Sequence, residues 1–308
     1  MGHISKSFLS SIAFFSITLF RLSSLELEQR EFQHKPCGLA MIAECYPDLK
    51  FEAEYDNGKD DWRIEVARPV TVGSAKTKSM VFYWADAKML PEDALKDMDG
   101  YLPILYKYEK SLKKPMELTE EEIEALRDYG TTESQKSSLG SAMFFFDFLY
   151  DAYSPKEIER RIVKTTFLGC KTKLHERIIA PIRRVEKKIY AQKNDPKVKN
   201  FLDSLATTDA YFWRVIANTN RKSFHSYGIA VDCLPKRLYG KQTYWSWAKS
   251  KYGDNWMLTP MDDRWMPPKK VVEIFESEGF IWGGKWGIWD TMHFEYHPEL
   301  IKYNRICD

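Results

Sequence analysis

Apolar positions change their spacing along the 308 residues, and the changes divide the chain. Between about Glu31 and Pro91 the pattern is β-rich: LKFEAEY, DWRIEVARPVTV and KSMVFYWA read as strands, separated by the polar turns DNGKDD and GSAKTK. Asn57-Gly58 is a hairpin signal between the first two, since these residue types accept the backbone of a tight turn. From Thr119 the pattern becomes helical. Thr119 and Glu122 make a capping box ahead of Ile123 and Leu126, closing backbone N–H groups that a helix start leaves open. MFFFDFLYDAY is continuously apolar and predicts core packing. Ser154-Pro155 opens a further helix, PKEIERRIV, and HERIIAPIRRVEKKIYAQ carries helical character to about residue 192. Its basic run Arg183, Arg184, Lys187 and Lys188 reads as a solvated face. In the last third, YFWRVIA and GIAVDCL read as strands, and PKKVVEIFESEGF as an amphipathic helix between proline and Gly279. Helices and strands mixed without βαβ regularity predict an α+β fold.

The first thirty residues stand apart. Lys6 precedes the apolar run Phe8 to Phe20, which Arg21 ends; thirteen residues is signal-peptide length and short of the ~20 that a spanning helix needs. Ser23 and Ser24 are small enough for a cleavage site, although no A-x-A stands there. Residues 1–29 are therefore expected to be a leader that exports the protein to the periplasm or cell envelope, with an uncleaved membrane anchor as the competing reading. In an oxidising compartment Cys37 and Cys45, eight apart, could close a small loop, while Cys170, Cys233 and Cys307 leave an odd cysteine over. No C-x-x-C is present, which removes a cysteine metal site from consideration. The remainder divides into a β-rich region (30–115), a helical connecting region (116–174) and a C-terminal domain (175–308).

Forty-six Lys+Arg against 44 Asp+Glu leave a net charge of +2, so no basic field points to nucleic acid as a partner. A hydrophobic content of 44% with only 14 prolines excludes a disordered chain. Histidine, with six copies, is scarce, which makes its placement informative. SFHSYGIAVD puts His225 and Asp232 seven apart around Gly228, and WDTMHFE puts Asp290 three residues before His293. Two imidazoles and one carboxylate are zinc ligands that leave a fourth position for water, with a further acid nearby to take a proton.

SFHSYGIAVD and WDTMHFE, with WGGKW ahead of the second, resemble the S-x-H-x-x-G-x-A-x-D and D-x-x-H motifs of the VanY-type D-alanyl-D-alanine carboxypeptidases and the related L-alanyl-D-glutamate endopeptidases. The resemblance covers roughly residues 175–308 and implies a zinc peptidase domain that shares its fold with the Hedgehog signalling domain. It implies one Zn2+ held by His225, Asp232 and His293, with Asp290 as the catalytic acid and Ser223 in contact with substrate. An upstream arginine that polarises the scissile carbonyl is assigned to Arg214, ahead of Arg221, Arg183 and Arg184. The implied substrates are peptidoglycan stem peptides, cut by release of terminal D-Ala; the alternatives are an endopeptidase for the L-Ala–D-Glu bond and a metal-stabilised, non-catalytic envelope-binding protein. Tyr227, Trp282, Trp286 and Trp289 are candidates to wall the cleft, against ordinary core packing. His34 and His175 read as surface side chains. His297, followed by Pro298, reads as outside the metal shell. Glu295, on the strand face of His293, reads as a partner that orients a ligand, and Cys233 is turned away from the metal by strand alternation.

Overall fold

The computed structural model describes residues 36–306; the expected leader, His34 and Cys307 lie outside them. The described chain opens with helix α1 (Cys37–Cys45), where a β-rich region was expected. Its length sets Cys37 and Cys45 about 12 Å apart along the axis, at 1.5 Å per residue, beyond the reach of a disulfide, so the small loop does not close. The three expected strands follow as β1 (Lys50–Asp56), β2 (Asp61–Pro69) and β3 (Thr77–Tyr83), an antiparallel sheet in the order β1-β2-β3. The polar turn between β1 and β2 is held by Asp56, whose Oδ1 accepts from Gly58 N at 2.8 Å. Ile64 and Val66 of β2 point inward and are fully buried, the alternation that the sequence carries.

The central region is less helical than expected. Short strands β4 (Tyr101–Leu102) and β5 (Gly140–Ser141) pair across it. Thr119 and Glu122 do form the capping box of α2 (Glu120–Tyr129), which is followed by α3 (Thr132–Ser137) and the apolar α4 (Phe144–Tyr150). The helix from Ser154 is short: α5 (Pro155–Ile158) gives one more 3-10 turn, and IVKTTF becomes strand β6 (Ile162–Phe167), paired antiparallel with β7 (Cys170–His175). β-branched residues in this stretch favour the pleated surface over a third helical turn. After α6 (Ile179–Ala191) and α7 (Pro196–Ser204), the main sheet is built from β8 (Leu205–Asp209), β9 (Ala230–Pro235), β10 (Phe280–Trp282) and β11 (His293–Tyr296). Its order is β10-β11-β9-β8, every neighbour antiparallel. Helices α8 (Trp245–Tyr252) and α9 (Lys269–Ser277) lie between β9 and β10, and α10 (Pro298–Ile306) closes the described chain.

The boundary expected between 174 and 175 does not separate two cores. One buried cluster runs from Leu39 and Ile64 through Phe145 and Phe148 to Val231, Phe275, Phe294 and Leu300. A smaller cluster of Trp245, Trp256 and Trp289 is covered by Leu126 and Tyr129 of α2. Asp151 ties the first sheet to the centre by ion pairs with Arg68, Lys78 and Arg161. Mixed helix and strand agree with the α+β expectation.

Two further expectations fail. YFWRVIA is not a strand: only Val215 makes a bridge, to Lys222, and Phe212 and Val215 are exposed at 66% and 59%. Tyr211 and Trp213 are half-buried against the core, while Phe212 and Val215 face outward. His175 is not at the surface but 1% exposed, with Nε2 3.1 Å from the Tyr150 carbonyl and Nδ1 accepting from Arg177 N. Burial lowers its pKa to about 3, so it is a neutral core residue.

Candidate metal centre

Strand register places two of the three predicted ligands. β11 pairs with β9 so that His293 stands directly opposite Asp232, and Phe294 opposite Val231. Alternation then turns Phe294 and Val231 into the core and leaves the histidine and the carboxylate on the other face. Cys233 likewise turns into the core. The third residue, His225, comes from a 3-10 turn (Phe224–Tyr227) whose start is capped by Ser223 and whose end is Gly228 at φ 65°. That left-handed conformation lets the chain leave the turn and enter β9 within two residues. His225, Asp232 and His293 are thereby gathered, with one donor atom of each lying within 4.8 Å of the others.

The outer nitrogens of both rings determine what the inner ones present. His225 Nδ1 is 2.5 Å from the Ala210 carbonyl, which can only accept, so Nδ1 carries the proton and Nε2 the lone pair. His293 Nε2 is 2.8 Å from Glu295 Oε1, so it donates there and leaves Nδ1 facing inward. His225 Nε2 and His293 Nδ1 then stand 3.2 Å apart, each close to the Asp232 carboxylate at 3.1 and 2.7 Å. Three acceptors converging in a buried place call for a cation. Tetrahedral zinc with nitrogen and oxygen ligands at about 2.0–2.2 Å separates neighbouring ligand atoms by about 3.3–3.5 Å, close to the two longer spacings observed. The donor set therefore fits a divalent ion of this type.

Electrostatics agree. Burial works against ionisation of Asp232, but His225 and His293 outweigh it and hold the carboxyl well below its usual range. Burial also disfavours an imidazolium at His293, yet Asp232 and Glu295 raise its pKa well above the usual value, so without an ion a proton takes the place of the metal. Glu295 is held at about 2 against its burial, chiefly by His293 and then by His297. His297 rises to about 9 because Glu299 and Glu295 overcome its desolvation.

Asp290 precedes β11. Its backbone N–H donates to the Gly283 carbonyl at 3.0 Å, and its own carbonyl accepts from His293 N at 3.3 Å. A side chain at Gly283 would meet the Asp290 carbonyl at 2.6 Å, so glycine is needed for this approach. Burial pushes the Asp290 carboxyl up to about 8, with Asp232 and Glu295 adding and His293 opposing. Its Oδ1 is buried and has no hydrogen-bond partner among the described residues.

A cleft of about 750 Å³ opens from the triad, lined by His225, Asp232, Asp209, Phe212, Arg214 and the β6–β7 hairpin. Arg214 is exposed in this cleft, and its backbone is clasped by Ser226, whose Oγ accepts from Arg214 N at 2.8 Å and donates to Arg214 O at 2.7 Å. Ser223 is 4% exposed with its Oγ accepting from His225 N, so the structure uses it to cap the ligand's turn. Arg221 donates to Tyr129, Arg183 to Thr166 and Glu186, and Arg184 pairs with Glu278; none of the three lines the cleft. Of the aromatic candidates only Trp286 lies beside a ligand, its ring 5.6 Å from that of His293; Tyr227, Trp282 and Trp289 are buried in the two cores. His297 stays outside the triad. Glu299 and Tyr46 were missed, although His293, Glu295, His297 and Glu299 recur at every second position of HFEYHPE, a spacing that signals one face.

Residues 217–296 match the family model described as D-alanyl-D-alanine carboxypeptidase, and residues 38–106 match one described as a domain of unknown function. No curated protein and no solved structure matches the chain. The first match contains His225, Asp232, Asp290 and His293 and supports a peptidoglycan-related peptidase at the level of that family.

Proposed function

We propose that this protein is an exported zinc metallopeptidase that hydrolyses peptidoglycan stem peptides, releasing a terminal D-Ala. The observation that carries the reading is the convergence of two imidazole lone pairs and one carboxylate, their outer atoms fixed by Ala210 and Glu295. A zinc ion held there supplies Lewis-acid polarisation and a water acidified to a pKa of about 7. Asp290 Oδ1 takes the proton during attack and returns it to the leaving amine. Its pKa of about 8 describes the ion-free protein; a divalent charge nearby favours the ionised form and brings the carboxyl into range for exchange near neutral pH. Arg214 reaches the peptide from the cleft wall and stabilises the developing oxyanion.

The cleft also favours an acidic substrate. Lys164 and Lys173 are direct cross-strand partners on β6 and β7, and both line the cleft with Lys171. Like charges placed opposite each other cost stability, and a carboxylate-bearing peptide lying between them offsets that cost. Mass spectrometry of defined stem peptides after incubation tests the reading. Loss of D-Ala, abolished by a chelator and by Asp290→Ala, is the expected result. A cut between L-Ala and D-Glu would move the assignment to the endopeptidase reading. Tight zinc binding with every peptide left intact would support the non-catalytic one.

A further inference from the structure

The buried polar chain does not stop at Glu295. Glu295 Oε2 lies 3.5 Å from His297 Nε2, His297 Nδ1 lies 2.7 Å from Glu299 Oε1, and the Tyr46 hydroxyl donates to Glu299 Oε2 at 2.7 Å. Glu295, His297, Glu299 and Tyr46 are 6%, 1%, 0% and 4% exposed, so solvent does not share these contacts. Tyr46 follows α1, 253 positions from Glu299, and is the point at which the N-terminal region meets the chain. The members are also held sterically. The His297 ring stands edge-on to Phe224 at 4.4 Å and to Phe146 at 5.4 Å, and Tyr46 edge-on to Phe145 at 6.0 Å. Phe224 adjoins His225, so the same chain braces the turn that carries the other imidazole.

Donors and carboxylate acceptors alternate along this path. The glutamates can only accept: Glu299 takes protons from the Tyr46 hydroxyl and His297 Nδ1, Glu295 takes one from His293 Nε2, and His297 Nε2 faces Glu295 Oε2 as an ion pair at 3.5 Å without a hydrogen bond. A neutral His293 bonded in this way has one tautomer, the one with its inner nitrogen unprotonated. Apolar residues would fill the same space at lower cost than two carboxylates and an imidazolium, so stability alone is a poor reason for the chain. We propose that Tyr46, Glu299 and His297 form a positioning arm that holds Glu295, and through it His293, in the orientation and tautomer that faces the metal, which makes the N-terminal region a working part of the metal centre. The proposal rests on the metal-site reading above.

The test is zinc titration of the full ion-free protein against a chromophoric chelator, with the visible spectrum of the Co2+ form as a second readout. Partners behind a metal-bound histidine shift affinity about 10–100-fold, so His297→Gln is expected to weaken zinc binding by about tenfold and Tyr46→Phe, further out, by about threefold. Both variants shift the Co2+ bands. Ile64→Val, a cavity in the first sheet, lowers the denaturation midpoint and leaves zinc affinity and spectrum as in the parent. Wild-type affinity and spectrum in Tyr46→Phe would overturn the arm, as would an equal loss in Ile64→Val. Tyr46→Phe removes one oxygen and keeps the ring, so it decides the matter if His297→Gln does not fold. A parent protein that binds neither ion would overturn the metal centre itself.

Discussion

Replacing Gly228 by alanine is expected to cost the folded protein about 2–5 kcal/mol, from two sources that can be separated. Gly228 sits between His225 and Asp232 at φ 65°, where a residue with a Cβ loses about 1–2 kcal/mol. An added Cβ would also lie 2.6 Å from Ile162 Cδ1 and 3.0 Å from His175 N, overpacking that adds about 1–3 kcal/mol. The nearer atom is a methyl group that valine lacks. Ile162→Val alone is expected to cost about 0.5–1.5 kcal/mol, but in the Gly228→Ala background it removes the clash and costs close to nothing. The coupling between the two sites is then about 0.5–1.5 kcal/mol. Urea denaturation of all four proteins in chelator measures it, with unchanged m-values showing that the denatured state is the same. A single-mutant cost below about 1 kcal/mol would refute the strain argument, and additive effects of the two substitutions would refute the steric one. The same cycle bears on function, because the Gly228 carbonyl accepts from His175 N at 2.9 Å and so docks the ligand-bearing turn on the β6–β7 hairpin.

Zinc at a hundredfold excess over its dissociation constant should stabilise the protein by about 2.7 kcal/mol in thermal melts, and His225→Ala should abolish the shift. Asp290 binds its proton more tightly folded than unfolded, so the stability it contributes is complete below the unfolded pKa of about 4 and is lost as pH rises through about 8. Chelated wild-type protein should therefore lose stability between pH 5 and 8 relative to Asp290→Asn; parallel profiles for the two would count against a buried, protonated carboxyl. The His175 imidazole resonance is expected not to titrate in the folded protein between pH 5 and 8, since burial lowers its pKa to about 3; a midpoint near 6.5 by NMR would contradict its placement. Asp151→Ala strands Arg68, Lys78 and Arg161 without their shared carboxylate and should cost about 3–5 kcal/mol in urea. A loss under 1 kcal/mol there would show that water already screens the group.

What the sequence determined by itself was whatever depends on neighbours a few residues apart. The capping box at Thr119 and Glu122, the Asn57-Gly58 turn, the alternation in β2 and the two short motifs holding His225, Asp232, Asp290 and His293 were all legible, because hydrogen bonding and strand alternation act over that range. Partners that meet across the fold decided the rest. YFWRVIA has the composition of a strand but finds, of strand pairing, only the Val215–Lys222 bridge and one bond to Lys173, while Ile162 and Val163 left the end of the expected helix for β6 because CKTKLH was there to pair with it. His175 looked like a surface residue beside Lys173, Glu176 and Arg177, yet the Tyr150 carbonyl buries it. The path from His293 to Tyr46 closes only when α1 packs against α10, bringing together residues 253 positions apart. A histidine's residue type makes it eligible to bind a metal; which of its nitrogens faces the ion is set by the acceptor behind it, and that acceptor arrives through tertiary packing.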